Sequence, residues 1–193
     1  NWAAQNVPAI LESWFPSVQG GTAIAETLFG DYNPGGKLTI TFPRSTGQIE
    51  LNFPYKKGSH GAQPRKGPNG GGVTRVLGSI YPFGYGLSYT NFAFSDMQVQ
   101  KVGDGLKTEY QLTVTVTNTG DKAGKKAVQV YAQKPYTDYD VQNHIEKPAV
   151  EFVGFSKTKL LQPGESEVVK VNVPEYFLTS YDATGTGVYI LDE

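Results

Sequence analysis

The sequence predicts a short α/β unit followed by an all-β sandwich. Within residues 1–45 an apolar run, a helix-spaced segment and an alternating segment follow one another, which is the order of a β-α-β unit. After residue 92, apolar and polar residues alternate with the period of two that marks strands. The 23 glycines and 12 prolines in 193 residues indicate many turns, as a β-rich fold requires.

Composition excludes several classes of protein. The 17 basic and 18 acidic residues leave a net charge of −1, so no overall field attracts nucleic acid or anionic lipid. The chain has no apolar run of about 18 residues, and we therefore predict no transmembrane helix. Cysteine is absent, which excludes disulfides and cysteine-based metal sites. We expect no nucleic-acid partner and no membrane partner.

The first segment is predicted to form a β-α-β unit. Residues 7–15 are an apolar run of strand length that Pro16 ends. Thr22 is the predicted N-cap of a helix that stops at Gly30, and residues 37–42 alternate as a second strand. The predicted apolar face of the helix contains Ile24, Ala25, Leu28 and Phe29. Two strands and one helix cannot bury their own apolar faces, so we expect a larger host sheet from elsewhere.

A long loop without periodicity runs from residue 43 to residue 80. Its central part, residues 56–75, contains six glycines and five basic residues. A loop of this length in a compact domain is usually functional or mobile. The basic residues allow two interpretations, an anion-binding site or a flexible loop kept soluble by its charge. The glycine run 67–72 is not followed by Lys-Ser/Thr, so a phosphate-binding loop is not predicted.

An aromatic linker over residues 81–89 leads into the second half. Its rings can be interpreted as a sugar-stacking surface or as packing between two domains. The second interpretation is favoured, because Gly84 and Gly86 let the chain pass tightly between domains.

From about Phe92 onward the pattern predicts strands only. Six or seven short strands in about 100 residues without cysteine favour a fibronectin-III-like sandwich over a disulfide-linked immunoglobulin domain. The predicted strands cover residues 110–117, 128–132, 150–155 and 169–173, with a break near Gly154, and the predicted turns cover residues 118–121 and 161–164.

Residues with catalytic chemistry are few. There is no Gly-x-Ser-x-Gly elbow, and the two imidazoles, His60 and His144, lie in loop-like stretches where surface roles are favoured. Asp138 and Asp140 could reach one cation, but a solvated loop is the favoured interpretation. Glycoside hydrolysis needs a pair of carboxyl groups, and no such pair is recognisable here. We predict no catalytic residue, no metal and no cofactor on this chain.

Several motifs together resemble family 3 glycoside hydrolases. Residues 13–16, 20–38 and 41–45 are similar to the end of that family's α/β sandwich domain, and residues 81–90 are similar to its domain junction. Further similarity, to the fibronectin-III-like domain of the family, lies in residues 116–120, 123–124, 128–131, 154–155 and 161–165. The resemblance covers nearly the whole chain.

The resemblance implies a three-part enzyme with an upstream barrel, an α/β sandwich and a fibronectin-III-like module. It also implies retaining hydrolysis by an Asp nucleophile and a Glu acid/base that both lie upstream of this stretch. We expect a β-glucosidase-type exo-hydrolase that acts on oligosaccharides or β-glucosides and is periplasmic or secreted. A β-xylosidase and an autonomous carbohydrate-binding or adhesion module are the alternatives.

These expectations divide the chain into three parts. Residues 1–55 form the C-terminal part of the α/β sandwich domain, residues 56–91 form the glycine-rich loop and aromatic linker, and residues 92–193 form a fibronectin-III-like domain without its last strand. Both ends of the chain are interpreted as cut from a longer protein whose upstream barrel and sandwich portion is the partner. If the loop folds towards the cleft of that partner, His60, Arg65 and Lys66 form the rim of the substrate cleft.

Overall fold

The computed structural model describes residues 2–44, 79–145, 147, 150–183 and 185–191. Its helices are α1 (Trp2–Asn6), α2 (Gly20–Phe29) and α3 (Asp138–Gln142), with 3₁₀ turns at Gly105–Lys107 and Glu175–Leu178. The strands are β1 (Phe92–Val102), β2 (Glu109–Asn118), β3 (Ala127–Ala132), β4 (Glu151–Lys157), β5 (Ser166–Pro174), β6 (Ser180–Tyr181) and β7 (Tyr189–Ile190). None of the helices in these ranges is long and apolar enough to cross a membrane.

The second half is a β-sandwich, as predicted. One sheet has the antiparallel order β1-β2-β5 and faces a second sheet of β3 and β4. The alternation in β2 and β5 explains the pairing, because Val114 lies opposite Val169 and Leu112 lies opposite Val171 on the same face of the sheet. A short third sheet pairs β6 with β7.

Buried aliphatic side chains hold the two large sheets together. Val128 of β3 packs against Val116 of β2 and Val169 of β5, with the fully buried Leu161 beside them. A second cluster joins Val153 of β4 to Val171 and Val173 of β5. The core therefore lies between the sheets, as the period-two pattern predicts.

Gly154 explains the predicted break in β4. A Cβ atom built on it would lie 2.9 Å from a methyl carbon of Val171, so a glycine is needed where the sheets approach. The pairing of β3 with β4 shifts at this point, between Val130 and Tyr131. Another shift, between Ser95 and Gln98, bends the edge strand β1 where Asp96 has a φ of 52°.

The first segment contains the predicted helix but not the predicted strands. Helix α2 begins at Gly20 and not after Thr22, and its N-cap position, Gln19, makes no side-chain capping hydrogen bond. The predicted stop is confirmed, because Gly30 has a φ of 87° and donates its N–H to Thr27. Residues 7–15 form no strand, since a parallel strand exists only through its neighbours in the sheet.

Residues 37–42 are also not a strand, and they do not pair with residues 7–15. They lie antiparallel to the linker instead, through hydrogen bonds from Leu38 to Tyr85 and from Phe42 to Tyr81, each 2.8 Å long. Only the bridge between Phe42 and Tyr81 has the geometry of a sheet. The linker thus pairs with residues 37–42, and the sequence alone did not predict this pairing.

Candidate functional site

The predicted cleft-rim residues His60, Arg65 and Lys66 lie outside the described residues. His144 is described, and it lies exposed at the end of α3 with a φ of 53°. Across the described ranges, no three His, Asp or Glu side chains are grouped so that they could hold a metal ion. Within the part of the chain that the structure describes, the features that point to a function are surfaces and junctions.

One such surface is an exposed apolar face on the first segment. Phe15 and Val18 are 96% and 97% exposed just before α2, and Leu28 and Phe29 are 65% and 85% exposed on it. Further apolar side chains of this segment that are largely exposed are Ile10, Leu11, Trp14 and Ile40. We call this set the apolar face. The number of exposed large apolar side chains within this one segment indicates an interaction site.

Helix α2 carries the apolar face while being anchored by its other side. The Tyr89 hydroxyl donates a 2.7 Å hydrogen bond to the carbonyl of Thr27, near the C-terminal end of the helix. Within α2 only Gly20 and Thr27 are buried. The predicted apolar stripe is therefore present, but most of it is exposed and is not packed against the described residues.

The junction between the two halves is organised by Asn33. Its side-chain oxygen accepts hydrogen bonds from the Ser88 hydroxyl at 2.9 Å and from the Tyr89 N–H at 2.8 Å. Its amide nitrogen donates to the Ala123 carbonyl at 2.9 Å, in the β2–β3 connection. Gly124 leaves room for this contact, because a built Cβ would lie 2.7 Å from the Asn33 amide nitrogen. One half-buried side chain thus joins three segments.

Aromatic rings of the linker pack between the halves, which confirms the favoured interpretation of that stretch. Phe83 meets Phe152 of β4 edge to face, with ring centroids 5.3 Å apart. Tyr81 stacks on Tyr85 at 5.3 Å and contacts Phe42 at 6.4 Å. Because Phe83 contacts the sandwich and Tyr81 contacts Phe42 of the first segment, the linker is a packing element between the two halves.

Positive charge gathers at the same junction. Burial lowers the pKa of Lys37, and the ammonium groups of Lys126 and Lys157 lower it further. The Lys37 ammonium group donates to the carbonyl of Gly86, which fixes it against the linker. Lys126 lies over the ring of Phe92, 5.9 Å from its centroid.

Asp140 corrects one expectation. The sequence favoured a solvated loop around Asp138 and Asp140, but Asp140 is fully buried. Its carboxylate accepts a 2.7 Å hydrogen bond from the Lys147 ammonium group and caps α3 through Thr137. An ammonium group thus lies where the alternative interpretation would put a cation.

Sequence reasoning missed a buried carboxylate and an aromatic cluster near the β6–β7 hairpin. Asp182 is fully buried and accepts hydrogen bonds from the N–H groups of Gly185 and Thr186 and from the Tyr139 hydroxyl. The spacing Asp-x-x-Gly-Thr is typical of a turn closed by an Asp side chain and could have predicted it. The aromatic group brings together the Glu175–Leu178 turn, β6 and β7, and no local pattern predicts it; its members are Tyr176, Phe177, Tyr181 and Tyr189.

Comparison with known proteins gives the same two-part organisation. Residues 1–89 match the glycosyl hydrolase family 3 C-terminal domain, and residues 126–190 match a fibronectin type III-like domain. The chain is 41% identical over 168 residues to a periplasmic β-glucosidase of Salmonella typhimurium, covering 86% of this chain and 21% of that protein. It is 34% identical over 171 residues to a β-xylosidase of Formosa agariphila, covering 88% of this chain and 22% of that one.

Solved structures share the fold. A β-glucosidase from Erythrobacter marinus superposes with a TM-score of 0.76 at 35% identity, over 98% of this chain and 23% of its own. A β-glucosidase from Listeria innocua in complex with glucose gives a TM-score of 0.74 at 29% identity, over 94% of this chain and 24% of its own. The chain therefore spans about a fifth to a quarter of these proteins.

A first segment built on helix α2, joined by an aromatic linker to a fibronectin-III-like sandwich, is an arrangement that the chain shares with a class of sugar-cleaving proteins. Within that class the chain belongs to glycosyl hydrolase family 3, of which it forms a C-terminal portion. The predicted fold class, an α/β fragment followed by a fibronectin-III-like sandwich, is confirmed.

Proposed function

We propose that this chain is the C-terminal portion of a retaining, exo-acting β-glucosidase that releases terminal β-linked glucose from oligosaccharides or glycosides. In this proposal the chain is mainly structural, and the nucleophile and the acid/base belong to an upstream barrel and sandwich portion of the same enzyme. Support comes from β-glucosidases that share 41% and 35% identity with most of this chain.

The apolar face is the observation that carries the proposal. Leaving Phe15, Val18 and Phe29 in water is unfavourable, since burying one large apolar side chain contributes about 1.5–3 kcal/mol. Packing this face against the upstream portion would bury it and would supply the sheet that residues 7–15 lack. An autonomous carbohydrate-binding module, by contrast, would need this face covered within the chain.

Complementation between two pieces tests the structural role. The upstream portion and this chain are produced separately, mixed, and assayed on p-nitrophenyl β-D-glucoside, with association followed by size-exclusion chromatography. We expect activity only from the mixture. Leu28→Ser should weaken association by about tenfold or more, because it places a hydroxyl in the apolar contact.

The same substitution elsewhere provides a matched control. Leu106 is a fully exposed leucine on the Gly105–Lys107 turn of the sandwich, outside the apolar face. Leu106→Ser should leave association and activity unchanged. Hydrolysis by this chain alone would contradict the proposal, and so would an equal response to the two leucine substitutions.

A β-xylosidase is the second candidate, because the Formosa agariphila relative at 34% identity has that name. The two activities differ in acceptance of the C5 hydroxymethyl group. The ratio of kcat/KM on p-nitrophenyl β-D-glucoside to that on the β-D-xyloside decides between them. We expect the glucoside to be preferred by about tenfold or more, and the reverse preference would replace glucosidase by xylosidase.

Two finer proposals follow the same family likeness. The enzyme acts in the periplasm or outside the cell, as the name of the Salmonella typhimurium relative suggests, and fractionation of producing cells tests this.

His60, Arg65 and Lys66 form the rim of the substrate cleft. Arg65→Ala in the whole enzyme should then raise KM for an oligosaccharide more than for the aryl glucoside, and equal effects would remove the rim assignment.

A further inference from the structure

Four aromatic rings form a cluster on the surface of the sandwich. They belong to Tyr176 and Phe177 of the Glu175–Leu178 turn, Tyr181 of β6 and Tyr189 of β7. Each side chain is 47% to 57% exposed. Tyr189 lies at the centre, with its ring centroid 5.0 Å from that of Tyr176 and 5.1 Å from that of Tyr181. We call these four residues the aromatic cluster.

The turn that carries Tyr176 and Phe177 is anchored to the sandwich. The Glu175 N–H donates a 3.0 Å hydrogen bond to the carbonyl of Thr108. The Glu175 carboxylate pairs with the Lys101 ammonium group at 2.6 Å and accepts a 3.3 Å hydrogen bond from the Tyr110 hydroxyl. The first two rings are therefore presented by a fixed backbone.

The β6–β7 hairpin that carries the other two rings is fixed by Asp182. Its carboxylate holds the connecting turn through Gly185 and Thr186, at 2.7 Å and 2.8 Å. The Tyr139 hydroxyl donates to the same carboxylate at 2.8 Å, which ties the hairpin to α3. A surface whose rings are already ordered loses little conformational entropy when a ligand binds.

We propose that the aromatic cluster is a binding site for a neutral, β-linked oligosaccharide. β-Linked glucose and xylose units carry their hydroxyls in the ring plane, so each ring presents an apolar C–H face that an aromatic ring can cover. The tyrosine hydroxyls can donate hydrogen bonds to the sugar hydroxyls or accept them. The ring planes are inclined to one another by 54° to 60°, so the rings do not form one flat platform, and a sugar ring would stack on the exposed face of a single aromatic ring.

The chemistry of the cluster separates it from the apolar face. Five of the eight residues of the apolar face are aliphatic and the other three are Trp14, Phe15 and Phe29, none of which carries a hydroxyl, and such a surface suits packing against another protein segment. Three of the four residues in the aromatic cluster are tyrosines, and none is charged. The nearest charged group on this turn, Glu175, is already paired with Lys101. An uncharged, polar-edged aromatic surface complements an uncharged polyol better than an ionic ligand, which would need an opposite charge in the cluster.

The choice of sugar rests on the proposed function, whereas the existence of the site rests on the cluster. Binding is measured on the 193-residue chain, by calorimetry with cellohexaose and xylohexaose and by depletion onto amorphous cellulose. Tyr189→Ala removes the central ring, and Tyr189→Phe keeps the ring without the hydroxyl. We expect Tyr189→Ala to weaken binding about tenfold or more and Tyr189→Phe to stay within about threefold.

Phe94→Ala is the matched control. Phe94 is 50% exposed on β1, seven residues from Lys101, and so lies about 23 Å along the strand from the anchored turn. It should leave binding unchanged. Tyr181→Ala provides a second variant if Tyr189→Ala does not give the circular dichroism spectrum of the parent chain, and it should also weaken binding.

Two results would overturn the inference. One is that the parent, Tyr189→Ala and Tyr181→Ala chains bind each hexaose equally well. Absence of binding by all three chains counts as the same result. The other is a dimer, seen by analytical ultracentrifugation, that the tyrosine variants abolish, since the cluster would then join two copies of the chain. Loss of aryl-glucoside hydrolysis in the complementation assay bears only on the proposed function, and the binding assay needs no hydrolysis.

Discussion

The Asn33 side-chain oxygen accepts a 2.8 Å hydrogen bond from the backbone N–H of Tyr89, across 56 residues of sequence. The hydroxyl of Tyr89 donates a 2.7 Å hydrogen bond to the carbonyl of Thr27, near the C-terminal end of α2. The backbone and the side chain of Tyr89 thus both bind the first segment, next to the sandwich. Because Asn33 makes three of the hydrogen bonds at this junction, the junction should be sensitive to the loss of its side chain.

Asn33→Ala is predicted to loosen this junction. It removes the acceptor of Ser88 and Tyr89 and the donor to Ala123, so we expect a loss of about 1–3 kcal/mol in the free energy of unfolding. Urea denaturation followed by tyrosine fluorescence measures it. Asn6→Ala is the control, because the Asn6 amide only donates to the Trp2 carbonyl within the exposed helix α1. Equal losses for the two variants would show that Asn33 does not organise the junction.

Asn118 is predicted to be the most sensitive amide of the sandwich. It is fully buried, and its nitrogen donates to the carbonyls of Lys122 and Leu161 at 2.8 Å and 2.9 Å. Its oxygen accepts from the Thr90 hydroxyl at 2.7 Å and from the Gly120 N–H. Asn118→Ala leaves these buried partners unpaired and should cost about 3 kcal/mol in thermal or urea unfolding.

An asparagine on the sandwich surface serves for comparison. Asn172 of β5 is exposed and donates to Glu109 at 3.1 Å. Asn172→Ala should cost less than about 1 kcal/mol, because water replaces the lost partner. A loss as large as that of Asn118→Ala would mean that burial does not set the difference.

The sandwich was largely predictable because its signals are local. The alternation over residues 110–117 and 169–173 becomes β2 and β5, and their inward residues share one face. The Pro163-Gly164 turn has the predicted geometry, with Gly164 at a φ of 78° and a 2.9 Å hydrogen bond from the Glu165 N–H to the Gln162 carbonyl. Each of these features is decided within a few residues.

The remaining features depend on partners far along the chain. Residues 7–15 have the composition of a buried strand but form none, because strand pairing is supplied by the neighbouring strands of a sheet. The sequence favours a solvated loop position for Asp140, but its carboxylate is buried in the structure, where Lys147, seven residues later, supplies the opposite charge. The aromatic cluster needs the β6–β7 hairpin to bring Tyr181 beside Tyr189. Apolar pattern and turn chemistry carry no signal for such pairings.

Acid sensitivity of the β6–β7 hairpin follows from Asp182. Backbone hydrogen bonds from Thr186 and Gly185 hold the pKa of its carboxyl well below its ordinary value of 3.8. The folded state therefore binds this proton less readily than the unfolded state. The stability that the carboxylate contributes is fully present above about pH 5 and is lost as the pH falls through 3.8 towards the folded pKa.

Asp182→Asn should remove this pH dependence. The variant is expected to be less stable than the parent at pH 7, and the difference should shrink as the pH is lowered from 5 to 2. Urea unfolding at a series of pH values measures both curves. Asp121 is exposed in the β2–β3 connection, and the free energy of unfolding of Asp121→Asn should change with pH as that of the parent does. A difference for Asp182→Asn that stays constant with pH would contradict the assignment.

The buried ion pair between Asp140 and Lys147 is predicted to respond differently from an exposed one. Their side chains are 0% and 1% exposed and lie 2.7 Å apart. Burial raises the pKa of the Asp140 carboxyl, but the hydrogen bonds from Lys147 and Thr137 outweigh it and keep the pKa below its ordinary value. Lys147→Met leaves the Asp140 carboxylate buried without its ammonium partner. It should lower the free energy of unfolding in urea by about 3–5 kcal/mol.

Two further variants isolate the effect of burial. Lys159→Met breaks the exposed pair with Glu165, which has a similar separation of 2.6 Å, and should cost much less than Lys147→Met because water and salt screen an exposed pair. Combining Lys147→Met with Asp140→Asn should recover part of the loss, because no unpaired charge then remains buried. If the double variant is as unstable as the sum of its two single variants, the two side chains are not energetically coupled, and burial of an unpaired carboxylate is not the cause of the loss.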